Sequence, residues 1–531
     1  MAIVEFNYKE ICMFMGACVP LPELRESLGN MGAPVESIDN ETIRCNITPN
    51  RIDLLSVEGL ARAMANFIGA KKPYIYEVQK SGVALKVDPS VNSVRPFIAA
   101  GIIRGAVIDD STIKSLMQVQ EKIHATYGRN RKKVAIGIHN LDPLKPPFTY
   151  KAIHPKEISF VPLDMSESLD LEQILEKHPK GKDYAHLVRD NERYPVILDA
   201  NNNVLSFPPI INGELTRVSE KTTNIFIDVT GTSFESVNDA LNVLCALFAD
   251  RGGKIFSVDV GGNELPNLAR GKIIVSPGQL NALIGFKLSP EEMAALLPKM
   301  GHNAIASENE LEVHFPPYRS DILNWVDIAE DLAIAYGYEK FEPTLPELPS
   351  IGKLLNSNEA LRETMAGLGF SETITFSLSN EEMNYSKMRL KSDGKASKMT
   401  NPLTADYTLF RTWLSPSLLH VLGNNSHEPM PQKIFEIGDC YSGGKREVHF
   451  ACAIAKAKAS FSEIKSVAEA LAFEAGLKLE FRDEISPSLI FGRSVAVYLK
   501  GEKIGFLGEV HPEVLNNFGI EEPALLLEMK L

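Results

Sequence analysis

Asp327, Glu330 and Asp331 stand at i, i+3 and i+4 within Trp325-Val326-Asp327-Ile328-Ala329-Glu330-Asp331-Leu332-Ala333-Ile334-Ala335-Tyr336. In a helix these three carboxylates share one face, and Ile328, Leu332 and Ala335 share the neighbouring apolar face. Like charges at this spacing repel by about 0.2–0.5 kcal/mol per pair. Such a face is either well solvated, with the helix dipole favouring acids in the first turn, or neutralised by a cation or a basic partner. Carboxylate oxygens suit a hard cation such as Mg²⁺, and Asp321, just ahead of the helix, can fold back as a fourth oxygen ligand. Arg319 beside Asp321 is equally compatible with a plain salt bridge, worth little at a surface.

The elements around these residues follow from apolar spacing and punctuation. Val57, Leu60, Ala61, Met64 and Ile68 trace one helical face, and Asp53 or Ser56 supplies the cap. Ser289-Pro290-Glu291-Glu292 opens another helix, with serine at N-cap, proline at N1 and Glu292 closing a capping box. Strands are expected at Val134 to Ile138, Val196 to Leu198 and Ile225 to Val229, and later at Lys433 to Ile437, Phe450 to Ile454 and Val495 to Leu499. Helices are expected near Ser462 to Ala475 and Glu513 to Phe518. Three prolines between Pro343 and Pro349 make an extended linker. The pattern is a multidomain α+β chain, divided at 1–85, 86–265, 270–341 and 350–531.

Composition narrows the class. With 531 residues, 44% hydrophobic and 23% charged, the chain is neither disordered nor fibrous. Its net charge of −13 excludes a surface wholly coated in nucleic acid. Between Glu121 and Lys156, however, eight Lys/Arg face two Asp/Glu, with Arg129, Arg131, Lys132 and Lys133 at the centre and His124 and Tyr127 nearby. That patch fits either a phosphate backbone or a solvated loop. The six cysteines include no Cys-x-x-Cys pair, so a reduced, cytoplasmic protein is expected. The longest apolar stretch, around Ala240 to Ala249, is interrupted by Asn242 and reads as a buried helix, not a membrane span.

Tyr318-Arg319-Ser320-Asp321, then Asp327, the pair Glu330-Asp331 and Gly337-Tyr338 resemble a motif of the phenylalanyl-tRNA synthetase β subunit family. Pro49-Asn50-Arg51-Ile52-Asp53-Leu54-Leu55-Ser56-Val57-Glu58-Gly59 is similar to that family's N-terminal signature. Lys132 to Asp142, Pro208 to Glu214 and Asn224 to Thr232 resemble its editing domain in the archaeal and eukaryotic form. Phe410 to Leu419 and Phe435-Glu436-Ile437-Gly438-Asp439 resemble its catalytic-like C-terminal fold. The resemblance covers nearly the whole chain. It implies a small N-terminal domain, a B3/B4-type editing domain, a B5-type domain with a helix-turn-helix-like fold, and a class II synthetase-like antiparallel sheet with helices. It also implies that Asp321, Asp327, Glu330 and Asp331 hold Mg²⁺.

The last fold carries no sign of its own chemistry. Position 434, two before Glu436, is isoleucine where a working class II site has arginine. Gly505 to Pro512 has no arginine to bind phosphate, and no P-loop pattern occurs. The resemblance therefore assigns phenylalanine activation with ATP to a partner α subunit in an (αβ)₂ assembly acting on tRNA-Phe. It gives this chain the hydrolysis of mischarged Tyr-tRNA-Phe. Such a site needs a polar group for the tyrosine hydroxyl, because an unpaired one costs about 1–3 kcal/mol. The candidates are Asn212, Glu214, Asp228, Thr230 and His139: Asp228 or Glu214 to accept the phenolic hydrogen, Thr230 to orient water or ester, and His139 to take a proton. Asp228 and Thr230 also alternate with Ile227 and Val229, so they equally suit the polar face of an edge strand, and Asn212-Gly213 equally suits a turn. A non-catalytic nucleic-acid-binding scaffold and a free-standing editing hydrolase are the competing readings, and a copurifying α partner separates them from the first.

Overall fold

A computed structural model describes residues 2–345, 352 and 358–531. The chain forms two compact units, 1–345 and 346–531. The proline-rich linker expected at 343–349 lies mostly outside the described residues.

The first unit begins with a three-stranded antiparallel sheet of Ala2–Asn7, Thr42–Ile47 and Val35–Asp39. The helix Val57–Phe67 packs nearby, and Ser56, one of the two expected caps, accepts from the Gly59 N–H. The centre is a ten-stranded mixed sheet. One end holds Lys254–Val260, Phe97–Arg104, Asn224–Gly231 and Val134–Asn140 in that order, joined antiparallel, with Val134–Asn140 outermost. Its other end runs through Phe148–Ile153, Tyr194–Leu198 and Val204–Phe207 to the short strand Ile211–Asn212. The strand Val78–Val87 belongs to this sheet, so the boundary expected at 85/86 falls inside a strand. One hydrophobic core runs from the N-terminal strands through the large sheet and the helix Phe234–Asp250. That helix is buried from Ala240 to Phe248, which accounts for the apolar stretch at Ala240 to Ala249.

A three-stranded sheet of Gly271–Val275, Leu311–Phe315 and Asn303–Ala306 follows, with the helices Pro277–Ile284, Pro290–Leu296 and Trp325–Tyr336 packed on it. Ser289 and Glu292 close the expected capping box.

The second unit is a seven-stranded sheet, antiparallel except where Ser371–Glu372 joins Gln432–Ser442. The helices Glu359–Gly367 and Phe461–Glu474 contribute to one core of this unit, and Ser415–Asn424 and Pro512–Phe518 to the other. Among the described residues no helix is long and apolar enough to cross a membrane.

Candidate functional site

A cavity of about 400 Å³ opens where the two ends of the large sheet come together. The Asn212 amide, on one end, donates to the Ile138 carbonyl on the other at 3.4 Å. Its walls are Ile113, Leu116 and Met117 on one side and the run Phe207 to Gly213 on the other. Its floor is Ala135, Gly137, Asp228 and Thr230.

The floor follows from strand register. Asp228 pairs with Gly137 and Thr230 with Ala135, so small residues flank both polar side chains on the same face. Asp228 is 2% exposed, and its Oδ2 lies 2.6 Å from His139 Nε2. His139 Nδ1 is 2.8 Å from the Thr216 hydroxyl. Gly137 makes room for this arrangement. A Cβ there would lie 2.0 Å from Asp228 Oδ2 and 2.6 Å from His139 Nε2. Gly137→Ala is therefore expected to break the Asp228–His139 pair and cost about 1–3 kcal/mol of stability by overpacking. Urea unfolding of the two proteins reads this directly, and superimposable curves would disprove it.

The five expected polar residues thus divide. Asp228, Thr230 and Asn212 line the cavity. His139 is fully buried behind Asp228, in position to orient that carboxylate rather than to touch a ligand. Glu214 stands outside the lining, held by Arg217 through two hydrogen bonds, and Arg217 also binds Asp164. The Arg217 hydrogen bonds hold the Glu214 carboxyl below its ordinary range. Two further residues were not legible in the sequence. Ser206, 3% exposed, lines the cavity from the strand Val204–Phe207. Arg95, 4% exposed, donates to the Thr230 hydroxyl. Each is a single polar residue without a motif around it.

The basic patch is smaller than its residues suggest. Arg131 is buried, with Nη1 donating to the carbonyls of Pro209 and Ile210 at 3.1 and 2.8 Å and its guanidinium 4.4 Å over the Tyr184 ring. It braces the cavity wall and is not offered to a phosphate. Burial also pushes the His124 ring pKa well down, and the ring accepts the Ile136 N–H at 2.8 Å. Arg129 and Lys132 remain exposed.

The acidic segment is arranged around an arginine. Arg319, 4% exposed, donates to both oxygens of Asp321 at 2.8 and 2.7 Å and to Asp331 at 2.7 Å. Asp331 also meets His302 Nε2 at 2.5 Å. Asp327 accepts the backbone N–H groups of Leu323 and Asn324 and so closes the helix N-terminus. Glu330 is exposed. The four expected Mg²⁺ ligands therefore do not converge: a guanidinium neutralises two, a cap occupies the third, and the fourth faces solvent. As a set they do not fit a resident cation.

In the second unit Arg411, from Phe410-Arg411-Thr412-Trp413, pairs with Glu436 at 2.8 Å, both nearly buried. It also binds the Asp439 carbonyl and the Thr375 hydroxyl. Cys440, His449 and Glu528 lie close enough to hold a metal, but both Glu528 oxygens already accept from the Leu414 and Ser415 N–H groups, the Ser415 hydroxyl and His449.

Comparison with known proteins places these sites. The chain is 41% identical to the phenylalanine–tRNA ligase beta subunit of Methanosarcina acetivorans, over 100% of this chain and 98% of that one. It is 40% identical to the Archaeoglobus fulgidus beta subunit over the same shares. The chain belongs to the phenylalanine–tRNA ligase beta subunit family. Its residues 106–246 match the B3/4 domain model, 273–338 the tRNA synthetase B5 domain, and 342–531 the phenylalanyl-tRNA synthetase beta chain CLM domain. An N-terminal fragment of the Pyrococcus horikoshii phenylalanyl-tRNA synthetase beta subunit superposes with a TM-score of 0.60 at 37% identity, over 63% of this chain and 99% of that one. The cavity of this beta subunit is thus lined largely from its B3/4 region, an editing-type domain, and the arginine-centred acidic segment lies in B5.

Proposed function

We propose that this chain is the β component of a cytoplasmic phenylalanine–tRNA ligase in which an α subunit, in an (αβ)₂ assembly, charges tRNA-Phe using ATP and Mg²⁺, while this chain hydrolyses mischarged Tyr-tRNA-Phe. The observation that carries the hydrolytic part is Asp228, a buried carboxylate on the floor of a largely apolar cavity of about 400 Å³.

The chemistry suits the discrimination. A pocket shaped for phenylalanine rejects an isostere with one added hydroxyl only weakly. A second pocket that holds the hydroxyl reverses the preference, since phenylalanine would offer no donor to the part of the Asp228 carboxylate that His139 does not bind. Ile113, Leu116, Met117 and Ile136 offer apolar contact to the ring. No side chain on the floor is arranged as a nucleophile with a base, so a water held between the pocket and the ester of the tRNA 3′ end is the attacking group. Glu214 and His139 enter this reading only as supports of the rim and of Asp228.

In the second unit Arg411 is buried and bound to Glu436, the Asp439 carbonyl and the Thr375 hydroxyl, so its guanidinium is not free for a phosphate, and position 434 is isoleucine; both support placing ATP on the α subunit. The test is aminoacylation and Tyr-tRNA-Phe hydrolysis by this chain, alone and with its α partner. Phenylalanine charging is expected only with α, and hydrolysis of Tyr-tRNA-Phe is expected from the complex. If α neither binds nor changes either activity, the scaffold reading replaces this one.

A further inference from the structure

We propose that Arg95 is a positioning residue for this cavity: it fixes the Thr230 hydroxyl as a hydrogen-bond donor beside the acceptor Asp228, and so sets selectivity for a phenolic ligand. The proposal rests on the hydrolytic reading above and names a residue that reading does not need.

Arg95 lies just before the strand Phe97–Arg104. Its Nε donates to Thr230 Oγ1 at 2.8 Å, Nη2 to the Thr230 carbonyl at 2.6 Å and Nη1 to the Lys132 carbonyl at 3.1 Å. Its own carbonyl accepts the Tyr150 hydroxyl at 2.7 Å. Every one of these side-chain bonds goes to a neutral oxygen, so the cation is buried without a carboxylate in contact. Burial pushes its pKa down to about 10, against the opposing pull of Tyr150 and Asp228. It therefore stays charged at neutral pH.

Guanidinium nitrogen only donates. Thr230 Oγ1 is thereby fixed as an acceptor toward Arg95, and its single hydrogen is left to point elsewhere. Thr230 lines the cavity, two residues along the strand from Asp228 and on the same face. The floor thus presents one donor and one anionic acceptor side by side. A phenol, which both donates and accepts, is the complement of that pair, and a phenyl ring satisfies neither.

The test uses the chain assembled with its α subunit and compares kcat/KM for deacylation of Tyr-tRNA-Phe with that for Phe-tRNA-Phe. In Arg95→Met the tyrosyl preference is expected to fall about 10–100-fold, the range for a lost hydrogen bond in a charged network. Thr230→Val removes the same bond from the other end without emptying the Arg95 site and should produce the same fall, so the reading survives if the Arg95 variant does not fold. The double variant should lose no more than either single one, and Thr230→Ser should restore the preference. If the unaltered complex hydrolyses Tyr-tRNA-Phe and the variants slow both esters equally, or neither, Arg95 is only structural and the proposal fails alone. If the unaltered complex does not hydrolyse Tyr-tRNA-Phe, both it and the hydrolytic reading fail.

Discussion

Asp228→Asn is expected to lower kcat/KM for Tyr-tRNA-Phe hydrolysis about 10–100-fold, and the assembled enzyme should accumulate tyrosylated tRNA when offered tyrosine. The substitution keeps the volume, so the room left by Gly137 still accommodates the side chain. What changes is polarity. A carboxylate accepts through both oxygens, whereas an amide accepts through one and donates through the other. If the amide oxygen stays on His139 Nε2, at the 2.6 Å contact the carboxylate makes, the NH₂ group faces the cavity. The floor then holds two donors, and a phenol can satisfy only one of them. A deacylation assay on the two complexes measures the loss. Hydrolysis at the unaltered rate would show that this cavity is not where the ester is cleaved.

The residues that make the cavity were only partly legible in the sequence, for a reason rooted in strand geometry. Alternation along Asn224–Gly231 placed Asp228 and Thr230 on one face, and the order of motifs placed that strand in the editing-type region. The edge-strand alternative does not hold, because this strand is flanked on both sides by Phe97–Arg104 and Val134–Asn140. What spacing could not give was the partner across the sheet. Gly137 and His139 sit opposite Asp228 and Phe226 through a register set by pairing between segments about ninety residues apart in sequence. Arg95 approaches from a third segment. The same limit explains the basic patch. Composition counts Arg131 as a surface charge, but positive φ in the turn Arg129-Asn130-Arg131 turns the chain back on itself, and Arg131 ends against the carbonyls of Pro209 and Ile210. The capping residues, in contrast, act within one turn of their helices, and Ser56 and Ser289 are found in those roles. The acidic cluster shows both sides. Its shared face is local and was readable. Its neutralisation by Arg319 and His302 depends on a turn and on a residue 29 positions away, and neither is encoded in helical spacing.

Arg319→Met should cost the first unit about 3–5 kcal/mol, the range for removing one member of a buried ion pair. The carboxylates it serves cannot simply turn to water. Asp331 is 3% exposed, and Asp53, paired with Arg51 and within the electrostatic reach of Arg319, is 2% exposed. Burial by itself would push the Asp331 carboxyl up, yet Arg319 and His302 outweigh it and hold the carboxyl below the ordinary range. The folded value is therefore the depressed one. The stability it supplies is fully present above the usual carboxylate range and is lost as pH falls toward the folded value. Removing Arg319 takes away the largest attraction opposing burial and leaves only His302 and Arg51 against it, so the folded value is expected to rise and Asp331 to supply less stability at neutral pH. The variant's deficit should accordingly shrink as pH falls below the usual carboxylate range, because the unaltered chain then loses stability that the variant already lacks. The same geometry separates a protein cation from a metal ion. With Arg319 in place, a chelator should leave the melting temperature of the isolated chain unchanged, and added Mg²⁺ should not raise it. A melting temperature that falls with chelation and returns with Mg²⁺ would show that the acidic face needs a metal ion after all.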